Sequence, residues 1–263
     1  MAQLPGTCAM LRAMATTVAP AATRTPRHAA LVRVTHWIAA AAFLALLVTG
    51  FEIVISHPRF YWGETGNVNM KPLFTIPIPA SRDTVPTGYK YVMPDQNGWS
   101  RYLHFEAAWV FVLTGVLYGI WGFGTGHFRK NLLPARADRR WGAIWTRVAR
   151  YLKRAPPDAG EASAYNVLQR LTYLAVIFVL VPLTILTGLA LSPSFNSAVP
   201  EIVNGFGGRQ SARTLHFFLS WALLFFVVAH VTMVAVSGFR VRMRAMITGR
   251  SVASAQENAG ERE

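Results

Sequence analysis

Four long apolar stretches alternate with polar connections along the chain. They cover approximately residues 34–56, 104–124, 166–191 and 214–238. Each holds about 20 residues or more, enough for a helix to cross a hydrocarbon layer of roughly 30 Å at about 1.5 Å per residue. The pattern predicts an all-α integral membrane protein whose core is a bundle of four transmembrane helices.

Composition supports a membrane protein over a soluble one. The chain is 52% hydrophobic and 14% charged, whereas soluble domains carry roughly a quarter charged residues. The net charge of +14 is also found in nucleic-acid-binding proteins, but here the basic residues collect just outside the apolar stretches. That placement is typical of membrane proteins, and we expect no nucleic-acid partner. The single cysteine, Cys8, excludes an intrachain disulfide and an Fe–S cluster held by this chain alone.

The distribution of Lys and Arg predicts the orientation. Residues 1–33 contain four, residues 125–165 contain nine, and residues after 238 contain five, whereas residues 57–103 balance five against three acids. The positive-inside rule places both termini and the 125–165 loop in the cytoplasm, with the 57–103 loop on the outer side, the periplasm if the source is Gram-negative. We therefore expect a cytoplasmic tail (1–29), a membrane domain (30–240) and a second cytoplasmic tail (241–263).

The connections carry three further predictions. The Pro-rich residues 71–98 predict an ordered outer cap without regular secondary structure. In the cytoplasmic loop, aromatic and aliphatic residues at helical spacing in "RRWGAIWTRVARYLKR" predict an interfacial helix in contact with anionic lipid. The first 30 residues lack a compact apolar region with a cleavage site, which indicates a tail or an over-long start assignment rather than a signal peptide.

Four of the seven histidines lie within the apolar stretches. His216 and His230 are 14 residues apart, which returns them to within about 40° of one helix face and separates them by roughly 21 Å. With the predicted orientation, His104 lies at the outer level of His216, and His36 at the inner level of His230. These depths predict two bis-histidine haems, one near each membrane surface. For any single histidine, a hydrogen bond to a neighbouring helix is the alternative.

Glycines and arginines accompany these histidines. Gly50 and Gly115 fall where the first two helices would pass the haem that they do not ligate; close helix packing is the alternative role for both, and the default for Gly188. An arginine stands three residues before a histidine at three helix starts (Arg33, Arg101, Arg213). Each arginine is positioned to pair with a haem propionate, the alternative being an ordinary anchor at the membrane surface.

Residues 30–240 resemble the four-helix di-haem cytochrome b family that anchors Ni/Fe hydrogenases, formate dehydrogenases and thiosulfate-reductase-type complexes. The resemblance rests on "RVTHW" followed by "LLVTG", on "RYLHF", and on "RTLHF" with a histidine 14 residues further on. It also includes "YNVLQR", similar to the Tyr-Asn-x-x-Gln-Lys motif of formate dehydrogenase anchors. In that family the cytoplasmic-side haem adjoins a quinone site, which implicates Asn166 and Gln169; helix capping is the alternative for Asn166.

The stretch "SHPRFYWGETG", within a long outer loop, is similar to the branch described as thiosulfate reductase cytochrome b subunits. That resemblance implies a periplasmic oxidoreductase partner of molybdopterin type. The expected function is a membrane-anchoring b-type cytochrome that transfers electrons between this partner and the quinone pool. The alternatives are the cytochrome b subunit of a Ni/Fe hydrogenase or formate dehydrogenase, a stand-alone cytochrome b561-type quinone oxidoreductase, and a transporter whose histidines handle protons or metal.

Overall fold

The computed structural model describes residues 28–67, 69–77, 99–134, 142, 145, 149, 167–236 and 238–249. The rest of both predicted tails, most of the predicted interfacial helix, the second half of the outer loop and Asn166 lie outside the described residues. The chain divides into a unit formed by Ala30–Phe239, which contains every spanning helix, and a second unit formed by Met1–Ala29 with Arg240–Glu263.

Within the residues that the structure describes, four helices are long and apolar enough to cross a membrane, which confirms the predicted all-α membrane fold. The first, second and fourth begin four or five residues before the predicted apolar stretches, so the three Arg-x-x-His sequences lie inside helices. In chain order the helices are α1 (Ala30–Ser56), α2 (Trp99–Gly124), α3 (Val167–Ala175), α4 (Val181–Leu191), α5 (Pro193–Ala198), α6 (Pro200–Gly205), α7 (Arg209–Val236) and α8 (Phe239–Thr248). A π-helical segment, Val176–Leu180, joins α3 to α4 into the third span, and another, Phe128–Leu132, follows α2.

Small residues spaced seven apart bring α1 and α2 together. The buried positions are Thr35, Ala42 and Thr49 on α1 and Ser100, Ala107 and Thr114 on α2. A seven-residue step returns to nearly the same helix face, and small side chains permit the close helix approach that stabilises membrane bundles. Because α1 packs along α2, this seam forms one helical hairpin, while large residues such as Leu44 and Leu113 remain exposed on outward faces.

The third and fourth spans form a second hairpin, in which α4 packs against α7. Its buried positions are again small, including Thr187 and Ala190 on α4 and Ala212 and Thr214 on α7. The connecting helices α5 and α6 both begin with proline, a residue favoured at the first helical position. Val203 of α6 packs with Ala190 and Ala212, which folds this connection back onto the helix ends.

The first part of the outer loop contains a pair of short strands, which corrects the prediction of no regular structure for residues 71–77; residues 78–98 lie outside the described residues. Strand β1 (Arg59–Phe60) pairs antiparallel with β2 (Phe74–Thr75). The Phe60 ring stacks on Phe74 at 4.7 Å between centroids and contacts Phe217 of α7 at 4.6 Å. The ladder is therefore held against the fourth span by aromatic packing, a tertiary contact that a two-residue strand does not reveal in sequence.

The same loop caps the N-terminus of α7. The Gly63 carbonyl accepts hydrogen bonds from the backbone N–H groups of Gln210 (2.9 Å) and Ser211 (3.2 Å). The Glu64 carboxylate accepts from the N–H of Arg209 at 3.0 Å. Since the first N–H groups of a helix have no intrahelical acceptor, these contacts satisfy donors that α7 alone leaves open, and the negative charge of Glu64 matches the helix dipole.

Replacing Gly208 by alanine is expected to dislodge this cap. Gly208 has φ +109°, and a Cβ there would lie 2.5 Å from the Gly63 carbonyl carbon. We expect Gly208→Ala to destabilise the folded protein by about 1–3 kcal/mol, measured as a lower thermal transition in detergent and faster proteolysis between residues 57 and 76. Gly205→Ala is the matched control, because a Cβ there meets no atom within 4 Å; equal stability of the two variants would contradict the proposed steric role.

Candidate functional site

The four intramembrane histidines lie in two pairs between the helical hairpins. The ring centroids of His104 and His216 are 6.4 Å apart, and those of His36 and His230 are 6.3 Å apart. Each pair joins one histidine of the first hairpin, on α1 or α2, to one on α7. The structure thus brings together the same partners that their depths predict.

The separation within each pair fits one metal ion bound between two imidazoles. A metal–imidazole nitrogen bond is about 2.0 Å long, so two rings on opposite sides of one ion hold their centroids a little more than about 6 Å apart. Both observed separations, 6.4 and 6.3 Å, agree with this value. The residues present therefore fit axial ligation of a haem iron at each pair.

The pairs are called outer (His104 and His216) and inner (His36 and His230) after their predicted depths. In the outer pair, hydrogen bonds show which ring nitrogen of each histidine carries the proton. The Thr49 hydroxyl lies 2.9 Å from Nδ1 of His104 and donates its own proton to the Ala45 carbonyl at 2.7 Å. A hydroxyl has one proton, so its oxygen is left to accept from Nδ1–H. This leaves Nε2 of His104 with the lone pair that binds a metal.

His216 repeats this arrangement on the second hairpin. Its Nδ1 lies 3.0 Å from the Thr187 hydroxyl, which donates to the Leu183 carbonyl at 2.8 Å. The Thr184 carbonyl also accepts from Nδ1, at 3.1 Å. In both hairpins a buried threonine hydroxyl thus lies at Nδ1 of a histidine on the neighbouring helix.

Sequence reasoning missed both threonines, although a signal was present. A Thr-Gly dipeptide occurs on each of the first three spans, at residues 49–50, 114–115 and 187–188. The first and last of these contact a histidine of the outer pair. The dipeptide stands beside no histidine in sequence, so only the packing of neighbouring helices links them.

Two glycines lie beside the rings of His104 and His216. A Cβ on Gly50 would lie 3.6 Å from Cε1 of His104, next to the histidine whose level the prediction gives it. A Cβ on Gly188 would lie 3.3 Å from Cε1 of His216, so Gly188, for which helix packing was the default role, also lies against a predicted ligand. A Cβ on Gly115 would meet no atom within 4 Å, and its role beside a haem stays a prediction.

The inner pair has aromatic surroundings. Trp37 lies edge-on to His36 at 5.5 Å, and Phe226 stacks on His230 at 5.8 Å. Tyr173 of α3 approaches His230 from the third span, at 6.4 Å. Among the described residues, neither inner ring is hydrogen-bonded to a hydroxyl or a carbonyl, in contrast to the outer pair.

The three arginines of the Arg-x-x-His sequences have different environments. Arg33 is half-buried and Arg101 is exposed. The guanidinium of Arg213 donates to the carbonyls of His57 and Arg59 and lies over the Phe60 ring at 4.8 Å. Arg213 therefore ties the outer loop to α7, and its role toward a propionate remains a prediction, as do those of Arg33 and Arg101.

The three remaining histidines, His28, His57 and His127, all lie outside the spans. Desolvation lowers the pKa of His57, and the nearby guanidiniums of Arg213 and then Arg101 lower it further. Desolvation also lowers the pKa of His127, whose Nδ1 lies 3.0 Å from the Asn131 amide. Both histidines are therefore neutral at pH 7, and the charge near His57 comes from the two arginines.

Of the predicted quinone residues, Gln169 is half-buried near the start of the third span. The neighbouring Arg170 donates to the Leu133 carbonyl at 3.1 Å, which ties this helix start to the segment after α2.

Gly188→Ala is expected to disturb the outer histidine pair. The added methyl group at 3.3 Å from Cε1 has to displace the His216 ring, so we expect affinity for haem at this pair to fall by up to about tenfold. The measurement is haem content and b-type absorbance of purified protein. Gly119→Ala serves as the control, since a Cβ there meets no atom within 4 Å, and an unchanged spectrum in both variants would contradict the contact.

Comparison with known proteins agrees with this site. The family model described as "Prokaryotic cytochrome b561" matches residues 27–249. A protein of Azospira oryzae named as a protein-methionine-sulfoxide reductase subunit, YedZ1, is 29% identical over 208 residues, covering 79% of this chain and 89% of that protein. One of Cupriavidus necator, named as a Ni/Fe-hydrogenase B-type cytochrome subunit, is 27% identical over 219 residues, covering 78% and 76%. The chain belongs to the prokaryotic cytochrome b561 family, multi-pass haem proteins of the bacterial inner membrane that serve electron transport.

Proposed function

We propose that this chain is the di-haem membrane subunit that carries electrons between an oxidoreductase on the periplasmic side and the quinone pool. The observation that supports it is the presence of two histidine pairs, with ring centroids 6.4 and 6.3 Å apart, at two levels of α7. His104 and His216 hold the outer haem, and His36 and His230 hold the inner one. Along α7 the two levels are about 21 Å apart, so the pairs serve opposite halves of the membrane.

Bound haem supplies a one-electron carrier at each pair, and the chain supplies its surroundings. The four imidazoles would hold the haem irons, and Arg33, Arg101 and Arg213 would provide positive charge for the propionates. The distribution of Lys and Arg supports cytoplasmic termini. With the termini on that side, the loop that begins at His57 and packs against α7 faces the periplasm in this proposal.

The quinone site in this proposal lies beside the inner pair and includes Asn166 and Gln169. Gln169 precedes Tyr173 by four residues, so both lie on one face of the third span. The Tyr173 ring is 6.4 Å from the ring of His230. That face of the helix therefore approaches the inner pair, as a site for a reducible ligand there requires.

For the redox partner we propose a periplasmic oxidoreductase subunit of molybdopterin type. The relative from Azospira oryzae is named as a subunit of a methionine-sulfoxide reductase and is matched over 89% of its length, which supports a soluble enzyme partner. The relative from Cupriavidus necator favours a second candidate, the cytochrome subunit of a Ni/Fe hydrogenase.

The ligand assignment predicts which substitution removes which haem. Purified wild-type protein should contain two b-type haems per chain. His216→Ala should lose the outer haem, and His36→Ala the inner one, each detected as loss of one component in a redox titration. His57→Ala is the control that should retain both. One haem in well-folded wild-type protein, or loss of the same component in both ligand variants, would refute the assignment.

The partner proposal is tested by purification from native membranes. A tagged chain extracted in mild detergent should bring with it a soluble subunit that contains molybdenum, measured by elemental analysis. Nickel in place of molybdenum would support the hydrogenase alternative. Recovery of the haem-loaded chain without a second subunit, under conditions that keep it folded, would favour a stand-alone quinone oxidoreductase.

A further inference from the structure

We propose that Thr49 and Thr187 are positioning residues that lower the reduction potential of the outer haem. The inference rests on the proposed ligation by His104 and His216, and it concerns how the surroundings of those ligands set their electron donation. It is carried by two hydrogen bonds at equivalent positions in the two hairpins.

Each threonine hydroxyl is held in place by a hydrogen bond within its own helix, independently of the imidazole. Both side chains are 0% exposed, and each hydroxyl donates to the carbonyl four residues earlier, at 2.7 Å for Thr49 and 2.8 Å for Thr187. The hydroxyl oxygen is thereby held at a set position on its helix with its lone pairs available. Its only remaining role is to accept, and the donor in reach is the ring Nδ1–H.

Both contacts cross from one helix to the next. Thr49 of α1 binds the ring of α2, and Thr187 of α4 binds the ring of α7. The glycine that follows each threonine lies beside the adjacent ring atom. A Cβ on Gly50 would be 3.6 Å from Cε1 of His104, and a Cβ on Gly188 would be 3.3 Å from Cε1 of His216. The Thr-Gly pair therefore restrains the imidazole in rotation and in position along the neighbouring helix.

Donation of Nδ1–H to an oxygen raises the basicity of Nε2. A more basic axial ligand stabilises the ferric state relative to the ferrous state, so the potential falls. Two such ligands on one iron act in the same direction. Burial strengthens the effect, because in an apolar layer no water competes for the ring proton.

Among the described residues, this hydrogen bonding is found at the outer pair only. The rings of His36 and His230 contact aromatic side chains, and within the described part of the chain they donate to no hydroxyl or carbonyl oxygen. Removing the threonine hydroxyls should therefore shift one haem and leave the other unchanged.

The chain contains its own control in Thr114. This residue is buried, belongs to a Thr-Gly pair, and donates to the Val110 carbonyl at 2.6 Å. Its hydroxyl has no hydrogen bond to an imidazole among the described residues. Thr114→Val thus reproduces the loss of a backbone-bonded hydroxyl in a membrane helix without touching a ligand ring.

The experiment is a potentiometric titration of the haem-loaded, full-length protein, with the outer component identified by its absence in His216→Ala. We expect Thr49→Val and Thr187→Val each to raise the midpoint potential of the outer haem. The equilibrium constant for its reduction should increase roughly threefold to tenfold, where tenfold corresponds to about 59 mV for one electron. The inner component should not move, Thr114→Val should behave as wild type, and Thr49→Ser should retain the wild-type potential.

The outcomes separate this inference from the ligand assignment. Two haems with the outer potential unchanged in both valine variants would overturn the role of the threonines while leaving the assignment intact. Equal shifts of both haems, or a shift in Thr114→Val, would attribute the effect to helix packing and overturn it as well. Wild-type protein without two haems would instead refute the assignment. A valine variant too unstable to titrate is replaced by its serine and alanine counterparts, where alanine should shift the potential and serine should not.

Discussion

A histidine ring inside a membrane needs a partner for each of its two nitrogens, because the hydrocarbon layer supplies none. In the outer pair this requirement determines the local structure. Thr49 and Thr187 satisfy Nδ1 on both rings and leave Nε2 of each available to bind a metal. The threonines reach the rings only because neighbouring helices approach closely, and the seam of small residues makes that approach possible. The hydrogen bonds of the histidine rings therefore depend on the close packing of the helices.

The fourth span extends this constraint to both pairs, because α7 carries one histidine of each pair. Its axial position sets the level of both His216 and His230. That position is fixed at the N-terminal end of α7, where Gly63 and Glu64 cap the first turn and Gly208 fits against them. Any change that lifts the loop from the helix end thus acts on both histidine pairs through a single rigid element.

The sequence was enough to predict the helices and the histidine pairing, but not the contacts made by individual side chains between helices. Helix number follows from apolar length, and the pairing of His104 with His216 follows from helix rise and alternating direction, quantities that do not depend on packing. The partners of Nδ1, and the contact of Gly188 with His216, depend on which helix faces meet. Helix faces in an apolar span carry little periodic signal, since both lipid and protein select apolar residues. The β1–β2 ladder was missed for a related reason: its two-residue strands are stabilised by Phe217, distant in sequence.

Arg213 links the outer loop to the helix that carries His216. It lies three residues before His216 on α7, and its guanidinium donates to the carbonyls of His57 and Arg59 in the loop. A guanidinium has five N–H donors arranged in a plane and can bind carbonyls along one edge and an anion along another. Its observed contact with the loop and its predicted contact with an outer propionate are thus compatible. Held together, the two contacts would place the proposed outer haem next to the loop that begins at His57, with Arg213 between them.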